Sequence, residues 1–294
     1  MCLRLLNKID CAVNDPQILK EKKLDIRIIP IELRIDGDSY NLYNDSFDLK
    51  EFNKKYYEAV ANNKCLSTSL VGPGEYASIF KEEVEKGNKV ICFTMAQGIS
   101  GTYNSACIAR DMVNEEYGSK VVEVIESMTA GFGEGLQAVH AYELTKKGRT
   151  FEEIIKDAEI YKHYIRSDFT VDKIKYLLNT GRVSKTLARF ASLLNIKVLL
   201  KRSKDSKIEF SGTSLGKVNA IKQLARIVLT KINKTKNQIV YITHCNIIND
   251  ARKLKELLIK GGVKNVEIYD YDFISGAHIG PGSLAVFYEA KEAY

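Results

Sequence analysis

The sequence predicts a mixed α/β fold of two α/β domains, 1–165 and 166–294, the first with a mainly parallel sheet flanked by helices. Three observations carry this expectation. The chain has 294 residues, of which 45% are hydrophobic; at roughly 150 residues per domain that is enough for two cores. In the first half, short apolar runs such as Val90-Ile91-Cys92-Phe93 alternate with stretches of helical periodicity, as parallel strands buried beneath crossover helices do. Near residue 165 this rhythm resets, which places the boundary there.

The elements follow in order. Residues 26–35, IRIIPIELRI, alternate apolar and polar on either side of Pro30. They read as one strand, kinked or at an edge, because proline donates no ladder hydrogen bond. Asp36-Gly37-Asp38 reads as a turn. Phe52, Tyr56 and Val60 fall at helical spacing within 47–61, and a helix opening at Gly74 puts Tyr76, Ile79, Phe80 and Val84 on one face. After the apolar run at 90–93, the loop AQGISGT leads into a helix at 103–114, a strand at 120–125 and helices at 131–146 and 151–164. The second half offers helices near 184–195, 216–233 and 249–260, with strands at 196–200, 207–211, 238–243, 265–271 and 283–288.

Composition narrows the function. No stretch approaches the ~18–20 uncharged apolar residues of a membrane span. The opening MCLRLLNKIDCAVND does not read as a secretory leader, because Asn, Lys and Asp soon interrupt its apolar run. A cytoplasmic location is therefore expected. The cysteines at 2, 11, 65, 92, 107 and 245 form no CxxC pair, so neither a zinc site nor a disulfide framework is expected. The net charge of +7 is densest at 185–207, through Lys185, Arg189, Lys197, Lys201, Arg202, Lys204 and Lys207. That segment reads as a solvated face, ahead of a surface for an acidic protein or an anionic membrane. Nucleic acid is disfavoured, since aromatics for stacking are few there and no recognisable reading motif occurs.

Three segments carry candidate chemistry. Gln97-Gly98-Ile99-Ser100-Gly101-Thr102-Tyr103-Asn104-Ser105-Ala106 lies between an apolar strand and a helix. Ser100 or Thr102 can cap that helix, and Gly101 allows close approach of a ligand to N–H groups that suit a carboxylate or phosphate. A plain capped turn explains the same residues. A serine-hydrolase elbow does not, because Thr102 stands at its last glycine position. Residues 67–75 set Ser67, Thr68 and Ser69 before Gly72-Pro73-Gly74; in a loop their hydroxyls can donate to an anion. Ser275-Gly276-Ala277-His278-Ile279-Gly280-Pro281-Gly282 surrounds one histidine with glycines, which suits a hydrogen bond to a carboxylate, acid–base work or a structural contact. His244 and Cys245 follow an apolar run at a strand end, so their side chains should point to opposite faces and form no dyad. Arg182, at a turn in LLNTGRVSK, can hold an anion, hold a neighbouring loop or lie on the surface.

In order and spacing these segments resemble the DegV family of bacterial fatty-acid-binding proteins. STSLVGPGEY (67–76) resembles the family's TSQPSPGE-type loop, ISGTYNSA (99–106) its LSGTYQSA segment, and VIESMTAGFGEGL (124–136) its V-I-D-S…G-x-G stretch. DIRIIPIELRIDGDSY (25–40), FTVDKIKYLLNTGRVSK…LLNIKVLL (169–200) and GAHIGPGSLAVFY (276–288) match further blocks, so the resemblance spans about residues 10–288. Departures occur at Ile9-Asp10-Cys11, where Cys11 replaces a serine after a poorly formed strand, at Leu70-Val71 in place of Gln-Pro, and at Ile279 in place of Thr.

The resemblance implies a long-chain fatty acid held between or within the two domains, its tail in an apolar tunnel. Thr68 and Ser100, backbone N–H near Gly101, and His278 would hold the carboxylate, with Ser69, Thr102, Gly280 and Arg182 as secondary candidates. It further implies a carrier subunit, not catalytic alone, that needs no cofactor beyond the bound acid. The carrier would present the carboxylate to a separate fatty-acid kinase for acyl-phosphate formation, with transient membrane contact as a further possibility. The alternative is a small-molecule hydrolase or transferase using Ser100 and His278.

Overall fold

The computed structural model describes residues 5–10, 22–42, 49–62, 64–190, 193, 195–233 and 237–294. Two large sheets and one small one organise it. The first is four-stranded and parallel throughout, in the order β2 (Ile26–Ile29), β1 (Leu5–Asp10), β6 (Lys89–Thr94), β7 (Val122–Glu126). The poorly patterned opening strand is thus fully formed. β1 pairs on both sides, Leu5–Ile9 with Lys89–Phe93 and Asn7–Asp10 with Ile26–Ile29, and two ladders outweigh a weak side-chain pattern. Cys11 lies outside the described residues.

The expected single strand at 26–35 is two strands in two sheets. β2 ends at Ile29, and β3 (Glu32–Ile35) joins a small antiparallel sheet in the order β4 (Asp38–Asn41), β3, β5 (Leu66–Ser69). Pro30 explains the break: lacking an N–H, it cannot continue the ladder, and the chain crosses over there. Asp36 and Gly37 have φ of 52° and 95°, the left-handed pair that a two-residue hairpin turn needs, and they close the Ile35–Asp38 pair. The hydroxyl segment expected as loop is strand β5, with Thr68 opposite Leu33 and Ser69 opposite Glu32.

Helices α1 (Leu49–Ala61), α2 (Pro73–Glu85) and α3 (Thr102–Glu116) build a core with the small sheet and one face of the parallel sheet. α4 (Phe132–Lys146) and α5 (Phe151–Tyr161) cover the opposite face. A capping box starts α5: Glu153 N donates to Thr150 Oγ1 at 3.2 Å and Thr150 N to Glu153 Oε2 at 2.8 Å.

The second large sheet has six strands in the order β10 (Ile208–Leu215), β9 (Ile196–Arg202), β8 (Ile165–Val171), β13 (Leu284–Glu289), β11 (Ile239–His244), β12 (Asn265–Asp270). Only β11 and β12 run parallel within it. A short α6 (Lys175–Asn179) follows β8, while α7 (Lys217–Lys231) and α8 (Ile248–Lys260) pack with the sheet in one core. α4 reaches both large sheets, touching β1 and β6 of the first and β8 and β13 of the second. Of the helix expected at 184–195, the described residues show a 3-10 segment, Lys185–Phe190; 191, 192 and 194 lie outside them. Conversely, the glycine-rich segment near His278 is helical: α9 (Phe273–Ile279) begins where Asp272 Oδ1 accepts from Ser275 N at 2.6 Å and ends at Gly280, φ 77°. That cap, with Phe273, Ile274 and Ile279 buried, outweighs the glycines. No helix among the described residues is long and apolar enough to cross a membrane.

Candidate functional site

A cavity of about 370 Å³ opens where β5, the start of α3, α9 and the second large sheet converge. Ile31, Met95, Phe169, Leu177, Ile208, Ile274 and Phe287 supply apolar wall. The Pro30 crossover delivers Ile31 to it. Thr68, Ser69, Ser100, Gly101, Thr102, Arg182 and His278 also line it, so seven of the eight sequence-predicted residues meet at one place. Gly280 is not in the wall; a Cβ there would lie 2.3 Å from the Tyr176 ring. Its role is a left-handed turn in close contact with an aromatic face.

The polar contacts decide which protons remain for a ligand. Thr68 Oγ1 lies 3.2 Å from His278 Nε2. His278 Nδ1 is buried with no hydrogen-bond partner, as is Ser275 Oγ. Burial and the charge of Arg182 push the imidazole down to about 4, so it is neutral at pH 7 and carries one N–H. If that proton sits on Nε2 and is given to Thr68, the threonine hydroxyl is free to donate onward. Ser100 Oγ and Thr102 Oγ1 are 2.5 Å apart, and Ser100 Oγ accepts from Thr102 N at 3.3 Å. One hydroxyl of this pair must donate to the other, which leaves a single outward proton. Ser69 has none to spare, since its Oγ donates to Glu32 Oε2 at 2.6 Å. Gly101 stands at the N-cap of α3, where first-turn N–H groups lack helical acceptors. A Cβ on Gly101 would come within 3.2 Å of Leu70.

Arg182 holds a loop. Its Nη1 donates to Thr180 O at 2.6 Å and its Nε to Ile99 O at 3.3 Å, fixing the carbonyl one residue before Ser100. From the far side, Glu126 accepts from Gln97 N at 2.9 Å and from Gln97 Nε2 at 3.3 Å. Ser100 and His278 share no hydrogen bond, each being bonded to a threonine instead. His244 and Cys245 diverge as expected: His244 Nδ1 faces Asp270 at 3.4 Å, and Cys245 is buried in an apolar cluster. No group of three or more His, Cys, Asp or Glu able to hold a metal occurs among the described residues.

Sequence reasoning missed part of the wall. Met128, Thr129, Ser167, Arg202, Ser206, Lys207 and Tyr271 line it too. The run of basic residues at 185–207 predicts a solvated face, yet Arg202 within it is 3% exposed. The corrective signal lay in the period: Arg202 continues β9 two residues after Leu200, hence on the same inward face. Arg182, Arg202 and Lys207 are cationic, and no carboxylate among the described residues lines the cavity.

A family model described as uncharacterised protein, DegV family, matches residues 16–291. The chain belongs to the DegV family. A DegV domain-containing protein of Clostridium perfringens is 30% identical over 280 residues, covering 95% of each chain. Among solved structures, a DegV family protein from Ruminococcus gnavus, refined with vaccenic acid, superposes with a TM-score of 0.82 at 25% identity, covering 96% of this chain and 99% of that one. The Streptococcus pneumoniae fatty acid kinase (Fak) B3 protein loaded with linoleic acid gives a TM-score of 0.79 at 18% identity, covering 97% and 99%. At that identity the second likeness concerns the fold alone, which both structures share with this chain over nearly its whole length.

Proposed function

We propose that this DegV protein binds one long-chain fatty acid, with its carboxylate on Thr68, Ser100, the N–H groups near Gly101 and His278, and its tail along the apolar wall. The observation that carries the reading is the convergence of neutral donors and a helix N-terminus on a cavity that no carboxylate of the described residues lines. A carboxylate buried without partners would cost several kcal/mol; these donors offset that cost without a counter-ion. Each buried methylene adds ~0.8 kcal/mol, so the tail supplies most of the affinity. Ligands carried by the R. gnavus and S. pneumoniae structures support the same class of molecule.

In this reading the chain is a cytoplasmic carrier, not a catalyst on its own. It divides near 165 into two domains that close on the acid and present the carboxylate to a separate ATP-using fatty-acid kinase. The kinase rests on the likeness to the S. pneumoniae protein and on a site without a phosphate-binding loop. A hydrolase would need Ser100 activated by His278, and both groups are engaged with threonines. Titrating delipidated protein with palmitic or oleic acid should give saturable binding at about one equivalent. Adding a bacterial fatty-acid kinase and ATP should then yield acyl-phosphate only when the loaded carrier is present. Absence of saturable binding would sink the carrier reading, and binding without phosphorylation would remove the kinase alone.

A further inference from the structure

Arg202 is a buried cation in the cavity wall, and its hydrogen bonds are incomplete. It ends β9, is 3% exposed and lines the cavity. Its Nη1 donates to Lys162 O at 2.8 Å and Ile165 O at 3.0 Å, and its Nε reaches Ser203 O at a long 3.5 Å. Among the described residues Nη2 meets only the Met128 thioether, at 3.7 Å, a weak acceptor. Met128 is itself a wall residue, so this poorly satisfied edge of the guanidinium adjoins a side chain of the cavity wall. No carboxylate among the described residues ion-pairs with Arg202. A second guanidinium, Arg166, shares the Tyr294 ring with it, at 3.8 and 4.4 Å from the ring centroid. Burial and the Arg166 charge work against its own charge, while Tyr294 and, more weakly, Glu126 favour it.

Two hydroxyls stand in the same wall. Ser167 on β8 and the buried Ser206 make no side-chain hydrogen bond among the described residues. No hydrogen bond joins this set to the Thr68–His278 and Ser100–Thr102 pairs. A plain hydrocarbon tail would displace water from Arg202 and return nothing, whereas an oxygen on the tail would take the free N–H of Nη2 in a charge-assisted bond.

From this second set of donors we infer that the ligand is a long-chain fatty acid carrying an oxygen function, such as a hydroxyl, partway along its chain, with Arg202 as the group that selects it. The inference deepens the fatty-acid reading and rests on it. It also gives Arg202 a specificity role at a place where hydrocarbon alone would favour leucine or methionine.

The test is a competition on delipidated wild-type protein, read by native mass spectrometry, between stearic acid and mid-chain monohydroxystearic acids at equal concentration. The hydroxylated acids should win by about tenfold, the scale of one charge-assisted hydrogen bond. In R202L, and independently in R202M, that preference should vanish and stearic acid should compete at least equally. Stearic acid binding the wild type as well as or better than the hydroxy acids would overturn the inference and leave the fatty-acid reading standing. A preference that survives in both variants would overturn Arg202 as its source. If no acid binds at all, the fatty-acid reading fails and takes this one with it.

Discussion

Thr68 Oγ1 and His278 Nε2 lie 3.2 Å apart although 210 positions separate them in the chain. The contact joins β5 of the small sheet to α9, and it aims both side chains into the cavity that the two halves enclose.

If this pair and Ser100 hold a carboxylate, T68A and S100A should each weaken fatty-acid binding about 10- to 100-fold, the range for a hydrogen bond to a charged group. Unfolding of the empty protein should change little, by about 1 kcal/mol, because each substitution removes only neutral, part-buried contacts. Titration and thermal melts on the same delipidated samples check both halves. Affinity that survives both substitutions would mean the carboxylate sits elsewhere.

His278 titrates near 4 in the folded protein, well below the ordinary histidine value, because it is buried and faces Arg182. Between about pH 6.5 and 4 the unfolded chain takes up a proton at this position and the folded chain does not. Its contribution therefore lowers stability as the pH falls through that window and has no effect above it. Urea unfolding at pH 7 and pH 4.5 should show a larger loss for the wild type than for H278Q. His163 and His244, whose values are also depressed, titrate in both proteins and cancel in the comparison.

Arg182 positions Ile99 O and lowers the His278 value by its charge. R182A should cost less affinity than S100A, within about tenfold, since it loosens the loop without deleting a ligand donor. It should also raise the His278 pKa, which imidazole NMR titration reads directly. An unchanged pKa would separate the two side chains electrostatically.

Gly280 has φ 77°, and a Cβ would fall 2.3 Å from the Tyr176 ring. G280A should lose about 2–4 kcal/mol, from left-handed strain plus overpacking. Adding Y176A should restore only the overpacking share. Chemical denaturation of the two variants distinguishes these parts.

Much of the fold was legible because burial writes its period into the chain. Val90–Phe93 announced a buried strand, and Tyr76, Ile79, Phe80 and Val84 announced a helix face. The candidate donors were legible through the order and spacing of the segments at 67–76, 99–106 and 276–288, which resemble those of the DegV family, since a plain capped turn would account for the hydroxyls alone. What stayed hidden depends on partners distant in sequence. β1 exists because β2 and β6 pair with it; Ser67–Ser69 became a strand because β3 lies alongside; α9 needed the Asp272 cap to override its glycines. Arg202 was misplaced because a run of basic residues reads as surface, although alternation along β9 turned this member inward.

The most direct test of the central claim is native mass spectrometry of the purified protein, followed by lipid extraction. We expect a co-purifying long-chain acid at about one per chain, lost on denaturation and restored by adding free acid. Protein that is empty, refuses added acid and instead turns over ester substrates would contradict the account.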